Sequence, residues 1–186
     1  SLDLSSFYFD IRKDILYCDD LNSTKRKNCI VVLNIILECL LKWFAPIFVF
    51  TTEEIFSLIN KNENSIHEMS YPEIPKDWGN KILNKKWKEL YQIKQEVNIA
   101  IEEKRSNKEI GSSLEANITI YADDKMFNLL EDLNLEEYFI TSKAKKIKNT
   151  NQILRIDVTK ASGVKCPRCW KILENKCLRC EEAMTR

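Results

Sequence analysis

Four cysteines within fifteen residues constrain this 186-residue chain more than any other feature. Cys166, Cys169, Cys177 and Cys180 stand in "KCPRCWKILENKCLRC" as two C-x-x-C pairs with seven residues between them. Each pair makes a tight turn that aims two sulfurs at one point, and two such turns can face each other around a tetrahedral ion. A disulfide framework fits poorly. There are seven cysteines, Cys18, Cys29 and Cys39 fall on apolar helical faces, and the charged, helix-periodic opening does not read as a signal peptide. A redox motif needs one C-x-x-C at a strand-to-helix turn, so a tandem is redundant. The pattern predicts one structural Zn²⁺ whose four thiolates leave no open position for water or substrate. In so short a segment the metal replaces a hydrophobic core. The other three cysteines read as buried, inert thiols.

Trp170 follows the second of these cysteines directly, with Arg168 and Lys171 beside it. The residues alone leave two readings open. The indole packs over the knuckle, or it offers a stacking platform for a nucleobase with basic neighbours for phosphate. Residues 141–186 carry twelve Lys/Arg against four acids, a net +8, while the rest of the chain carries −7. That asymmetry suits a polyanion-binding surface, and a solvated lysine face equally well.

Upstream, three glycines and four prolines favour long helices. Apolar positions in steps of three and four predict a helix over 2–18, followed by a turn with Asn22 or Ser23 as the next N-cap. The apolar stretch 29–50 carries Asn34, Glu38 and Lys42 on one stripe. This argues against a membrane span and for a mostly buried helix ending near Ala45-Pro46. Thr51 and Glu54 suggest a capping box for a helix over 52–60. Residues 61–79 read as a loop, with the sole histidine, His67, as a surface residue. A helix over 80–106 carries Leu83, Trp87, Leu90, Val97 and Ile101 on one face. Lys81, Lys85, Lys86, Lys88 and Lys94 read as its solvated face, and Gly111 as the stop. "LEANITIYA", "YFITSKAKKI" and "QILRIDVTKA" read as strands around a short helix in "DDKMFNLLEDL". The expected architecture is mainly α: a helical bundle over 1–110, a small α+β extension over 111–162 and a four-cysteine zinc knuckle over 163–186.

"FYFDIRKDILYCDD", "VVLNIILECLLKWFAPIFVFTTEEIF", "VNIAIEEKRSNKEIGSSLEA" and the terminal "KCPRCW…CLRC" resemble the C-terminal region of bacterial isoleucyl-tRNA synthetases, from about Asp3 to Cys180. "APIFVFTTEEIF" also fits valyl and leucyl anticodon-binding domains; "IGSSLEA" with the knuckle points to isoleucine. The resemblance implies a tRNA anticodon-binding helical domain and zinc on Cys166, Cys169, Cys177 and Cys180. It tips Trp170 toward the anticodon, with Arg168, Lys171 and Arg179 as basic partners. The spacer "WKILENK" is shorter than is usual in that family, which puts contacts from a longer loop in doubt. Neither a His-x-Gly-His nor a Lys-Met-Ser-Lys-Ser motif occurs in this sequence. ATP, amino-acid attachment and editing therefore belong, by the resemblance, to other parts of a parent chain, of which this one reads as a non-catalytic piece. The implied setting is cytoplasmic, monomeric and without membrane contact. Two other readings are the zinc-finger end of a DNA-repair glycosylase and a structural module that merely closes on its metal.

Overall fold

The periodicity at the start of the chain takes shape as a π-helical turn, Leu4–Phe9, running into α1 (Asp10–Cys18). Ser23 caps the next helix, accepting from the Arg26 N–H. α2 (Thr24–Phe44) stops where Pro46 requires, and α3 (Val49–Ile59) follows. α4 (Lys81–Ser106) starts at the Asn80 cap. Then come β1 (Ala116–Ala122), α5 (Asp124–Leu129), α6 (Leu135–Tyr138), β2 (Lys143–Lys148) and β3 (Arg155–Lys160). The knuckle adds β4 (Val164–Lys165), β5 (Ile172–Leu173) and α7 (Leu178–Met184). The computed structural model describes residues 3–61, 64–149 and 154–184. Gln152 and Ile153 of the expected third strand lie outside them.

Contacts group these elements differently from their linear order. One unit joins Ser1–Leu21 to Asn80–Arg186, and the other is Asn22–Gly79. In the first unit β1 is the central strand, parallel to β2 and antiparallel to β3. Alternate β1 residues, among them Ile118 and Ile120, are fully covered. They meet Leu90, Ile93, Val97 and Ile101 of α4, and Ile11 of α1 joins the same core. An aromatic group of Phe7, Trp87, Tyr91 and Tyr138 closes one side.

In the second unit a small core of Leu41, Ala45, Phe56 and Ile66 joins α2, α3 and the turn at Ile66–Glu68. Glu38 and Lys42 pair at 2.7 Å, as their spacing predicts. α2 is not mostly buried, however. Only Cys29 and Leu41 are buried along it, while Val31, Val32, Trp43 and Phe44 are exposed, as is Phe50 beyond it at 88 %. One partner helix and a short turn can cover only one side of a 21-residue helix.

Three local expectations also change. α3 begins before Thr51, so no capping box forms; the Thr52 hydroxyl donates instead to the Phe48 carbonyl at 2.9 Å. Glu53 rather than Glu54 holds the following loop, accepting from Ser65 Oγ and the Ile66 N–H. α4 stops at Asn107 and Lys108, the latter in left-handed backbone, before Gly111 is reached. Lys94 leaves the solvated face: it is buried at 6 % exposure, because steps of four and three place it on one stripe with Leu90, Val97 and Ile101. No helix among the described residues is long and apolar enough to cross a membrane.

Candidate metal centre and nucleic-acid interface

The knuckle is built by two short devices. β4 and β5 pair as a two-residue hairpin, and Gly163 enters it at φ +129°. A Cβ there would lie 2.2 Å from the Leu173 carbonyl oxygen, so the close approach excludes every other residue. Between the strands the first C-x-x-C turn closes on itself. The Trp170 N–H donates to the Cys166 carbonyl at 3.0 Å, and the Cys166 N–H to the Lys171 carbonyl at 2.9 Å. The second pair starts α7, where the Cys180 N–H donates to the Cys177 carbonyl.

These turns bring the sulfurs of Cys166, Cys169, Cys177 and Cys180 within 4.8 Å of one another, a cluster that could hold a metal ion. Cys169 and Cys177 sulfurs are 3.8 Å apart. Burial pushes the Cys169 and Cys180 thiols up. Burial also opposes ionisation of Cys166, yet backbone N–H groups of Cys169 and Arg168 bring that thiol down to about 7. Four thiolates gathered this closely would repel one another unless a central cation held them.

α1 carries the knuckle. Arg179 of α7 makes two bonds to the Asp14 carboxylate, at 2.6 and 2.8 Å, and a third to Asp19 at 3.2 Å. Its guanidinium holds the Asp14 carboxyl below its ordinary range against the effect of burial. Arg168 donates to the Tyr17 carbonyl at 3.1 Å. The Cys18 thiol reaches the Arg168 carbonyl at 3.7 Å, so Cys18 belongs to the cluster around the cage rather than to the apolar core. On the other side, Ser142 Oγ accepts from the Ile172 N–H at 2.7 Å and Lys143 pairs with Glu174. Sequence reasoning missed Asp14, Asp19 and Ser142. Nothing in local spacing marks a partner 165 or 160 residues away, as Arg179 is from Asp14 and Asp19, or 30 away, as Ile172 is from Ser142.

A groove of about 480 Å³ lies between α1 and the knuckle, with Ile11, Tyr17, Ile140, Trp170 and Lys171 in its wall. Trp170 is 61 % exposed and Tyr17 76 %, so the indole does not pack down on the cage. Trp170 has φ +65° and Ile140 φ +57°. Such backbone is costly for bulky side chains, and it tends to gather where function demands it. Of the four residues grouped by sequence around the anticodon, Trp170 and Lys171 reach this groove freely. Arg168 lines it while bound to Tyr17, and Arg179 is committed to Asp14 and Asp19.

Much of the basic excess is consumed locally. Lys148 pairs with Asp124, Arg155 with Asp157 and Lys176 with Glu181, while Lys146 donates to the Phe127 carbonyl. Among the described residues of this segment, Lys145, Lys160, Lys165 and Lys171 keep ammonium groups outside any such bond. His67 is exposed and 3.3 Å from the Val49 carbonyl.

Comparison with known proteins bears on this arrangement. The family described as "Anticodon-binding domain of tRNA ligase" matches residues 1–120. The isoleucine–tRNA ligase of Pelagibacter ubique (strain HTCC1062) is 52 % identical over 179 residues, covering 96 % of this chain and 20 % of that protein. The isoleucine–tRNA ligase of Agrobacterium fabrum is 37 % identical over 183 residues, covering 92 % and 19 %. That of Methylacidiphilum infernorum is 40 % identical over 171 residues, covering 92 % and 18 %. The chain thus spans about a fifth of the length of these curated relatives.

Proposed function

Because the chain belongs to the anticodon-binding domain family of tRNA ligases, we propose that it is the tRNA-recognition portion of an isoleucine–tRNA ligase. It grips the anticodon region of isoleucine tRNA while other domains of a cytoplasmic, monomeric parent enzyme attach isoleucine using ATP. The observation that carries this reading is Trp170: a large aromatic held exposed, in costly backbone, on the lip of an apolar groove with Lys171 beside it. Stacking on such a ring tolerates any base, so specificity comes from base edges and from the splayed shape of a single-stranded loop.

One structural Zn²⁺ on Cys166, Cys169, Cys177 and Cys180 suits the donor set. Tetrahedral Zn–S bonds of about 2.3 Å put sulfurs about 3.8 Å apart, close to the 3.8 Å between Cys169 and Cys177. The ion supplies folding energy, not chemistry: four thiolates close its coordination. Arg168 and Arg179 then act mainly as struts between α1 and the knuckle, and Lys171 and Trp170 as the contacts. The family match over residues 1–120 gives no support to the DNA-repair alternative.

The test is binding of a 17-nucleotide isoleucine anticodon stem-loop by the unmodified chain and by Trp170→Ala, each with its metal content measured. Loss of about 1–3 kcal/mol of binding with full metal retention is the expected result. Equal binding by two folded, metal-loaded proteins would remove Trp170 from the site.

A further inference from the structure

Lys94 is an anomaly that anticodon recognition at the knuckle does not use. Its ammonium is buried, and no carboxylate among the described residues lies within ion-pair distance. One of its three protons goes to the Tyr138 carbonyl at 2.6 Å, and the Tyr138 ring stands 5.2 Å away. Desolvation brings its pKa down to about 8, against the attraction of the Asp10 carboxylate. Burying an ammonium without a carboxylate in direct contact is expensive, and such groups are normally paired.

Beside it opens a second, polar cavity of about 420 Å³. Lys94, Asn98 and Arg105 enter it from one side of α4, and Ser112 and Ser113 from the turn that follows. These serines belong to "IGSSLEA", whose Leu114 lines the groove at Trp170 but whose serines do not. Two carboxylates also line the cavity: Glu102 is paired with Arg105 at 2.7 Å, and Asp10 is paired with Lys13 at 2.9 Å while its charge also attracts Lys94. With Lys13, Lys94 and Arg105 set against Asp10 and Glu102, one positive charge is in excess. Ammonium, amide and two hydroxyls form a donor set suited to a tetrahedral oxyanion with several acceptors, the Arg105 guanidinium being committed to Glu102.

Resting on the tRNA reading, we infer that this cavity is a seat for one backbone phosphate of the bound RNA, with Lys94 as its charged floor and Ser112, Ser113 and Asn98 as neutral donors. A phosphate contact positions the RNA and carries no sequence information. It differs in this from the groove at Trp170, and its loss has a different signature: uniform weakening across sequences and a shallower salt dependence.

The experiment compares the unmodified chain, Lys94→Met, Asn98→Ala and Trp170→Ala. Methionine keeps the length of the lysine stem, and Asn98 is exposed, so at least one of these two variants keeps the fold. Each protein is titrated with the isoleucine stem-loop and with a stem-loop of altered anticodon at several salt concentrations. Lys94→Met should weaken both RNAs by a similar factor of about ten and lower the log–log salt slope by about one; Asn98→Ala should weaken both by a smaller, equal factor. Trp170→Ala should mainly erase the preference between them. In parallel, inorganic phosphate should shift the NMR signals of Lys94 Nζ and the Ser112 and Ser113 amides. An unchanged slope in Lys94→Met overturns the inference, and phosphate shifts alongside it would assign the cavity to free phosphate. If the unmodified chain binds neither RNA, the proposed function itself fails, and the phosphate titration alone decides whether the cavity takes an oxyanion.

Discussion

The core around β1 and the knuckle at residues 163–184 belong to one unit, yet they are held together by opposite means. Leu90, Val97, Ile120 and Phe139 are almost wholly removed from water, and their burial gives the core its stability. The knuckle has two-residue strands, four thiols and charged struts to α1. Its exposed Val164, Trp170 and Leu178 contribute little burial. A region whose four thiols could close on a metal ion can leave a tryptophan in solvent, which an apolar core cannot. Under the proposed function, stability and recognition are then assigned to different physics in neighbouring parts of one unit.

The sharpest way to break this contrast is to damage each region alone. Ile120→Ala should cost about 2–5 kcal/mol of global stability and leave metal binding per folded molecule unchanged, as thermal unfolding and metal analysis would report. Cys180→Ser should do the reverse. It should lose the metal and hydrogen-exchange protection over 163–184, with the β1–α4 amides still protected.

Gly163→Ala comes next. Its Cβ would collide with the Leu173 carbonyl, so the hairpin must open and metal retention should fall without a change in the core. Lys94→Met should unfold no more easily than the unmodified protein at pH 7, because it removes a buried charge. The folded-state pKa of about 8 lies below the unfolded 10.5. Between these values the unfolded chain binds the extra proton, so stability of the unmodified protein rises with pH there. By pH 10.5 it should have gained on Lys94→Met by up to ~3 kcal/mol. Denaturant titrations at pH 7, 9 and 10.5 would fail to show this narrowing if the ammonium were solvated. The smallest effect on stability, and a favourable one, is expected for Trp170→Gly. Relief of left-handed strain should stabilise by about 1 kcal/mol or less, while stem-loop binding is lost.

How far these features were legible depends on the range of their causes. α1, α2 and α4 were visible because apolar residues at helical spacing are local, and β1 because Ile118 and Ile120 alternate with polar neighbours. The cage was visible because each half lies within four residues. Lys94 was misplaced by counting it with its lysine neighbours, although its spacing from Leu90 and Val97 already put it on the apolar stripe. The exposure of α2 was not legible, since an apolar run states a need for cover and not whether cover is present. Nor was the docking of the knuckle on α1. Asp14 and Arg179 meet across 165 positions, and neither has a local pattern that names the other.

The most direct measurement follows the isoleucine stem-loop on and off the protein as a chelator removes the metal, with core amide protection read in the same samples. A metal-held recognition surface predicts that binding disappears in step with metal loss, returns on adding Zn²⁺, and leaves the β1–α4 core protected throughout. Undiminished binding by metal-free protein with an intact core would contradict it.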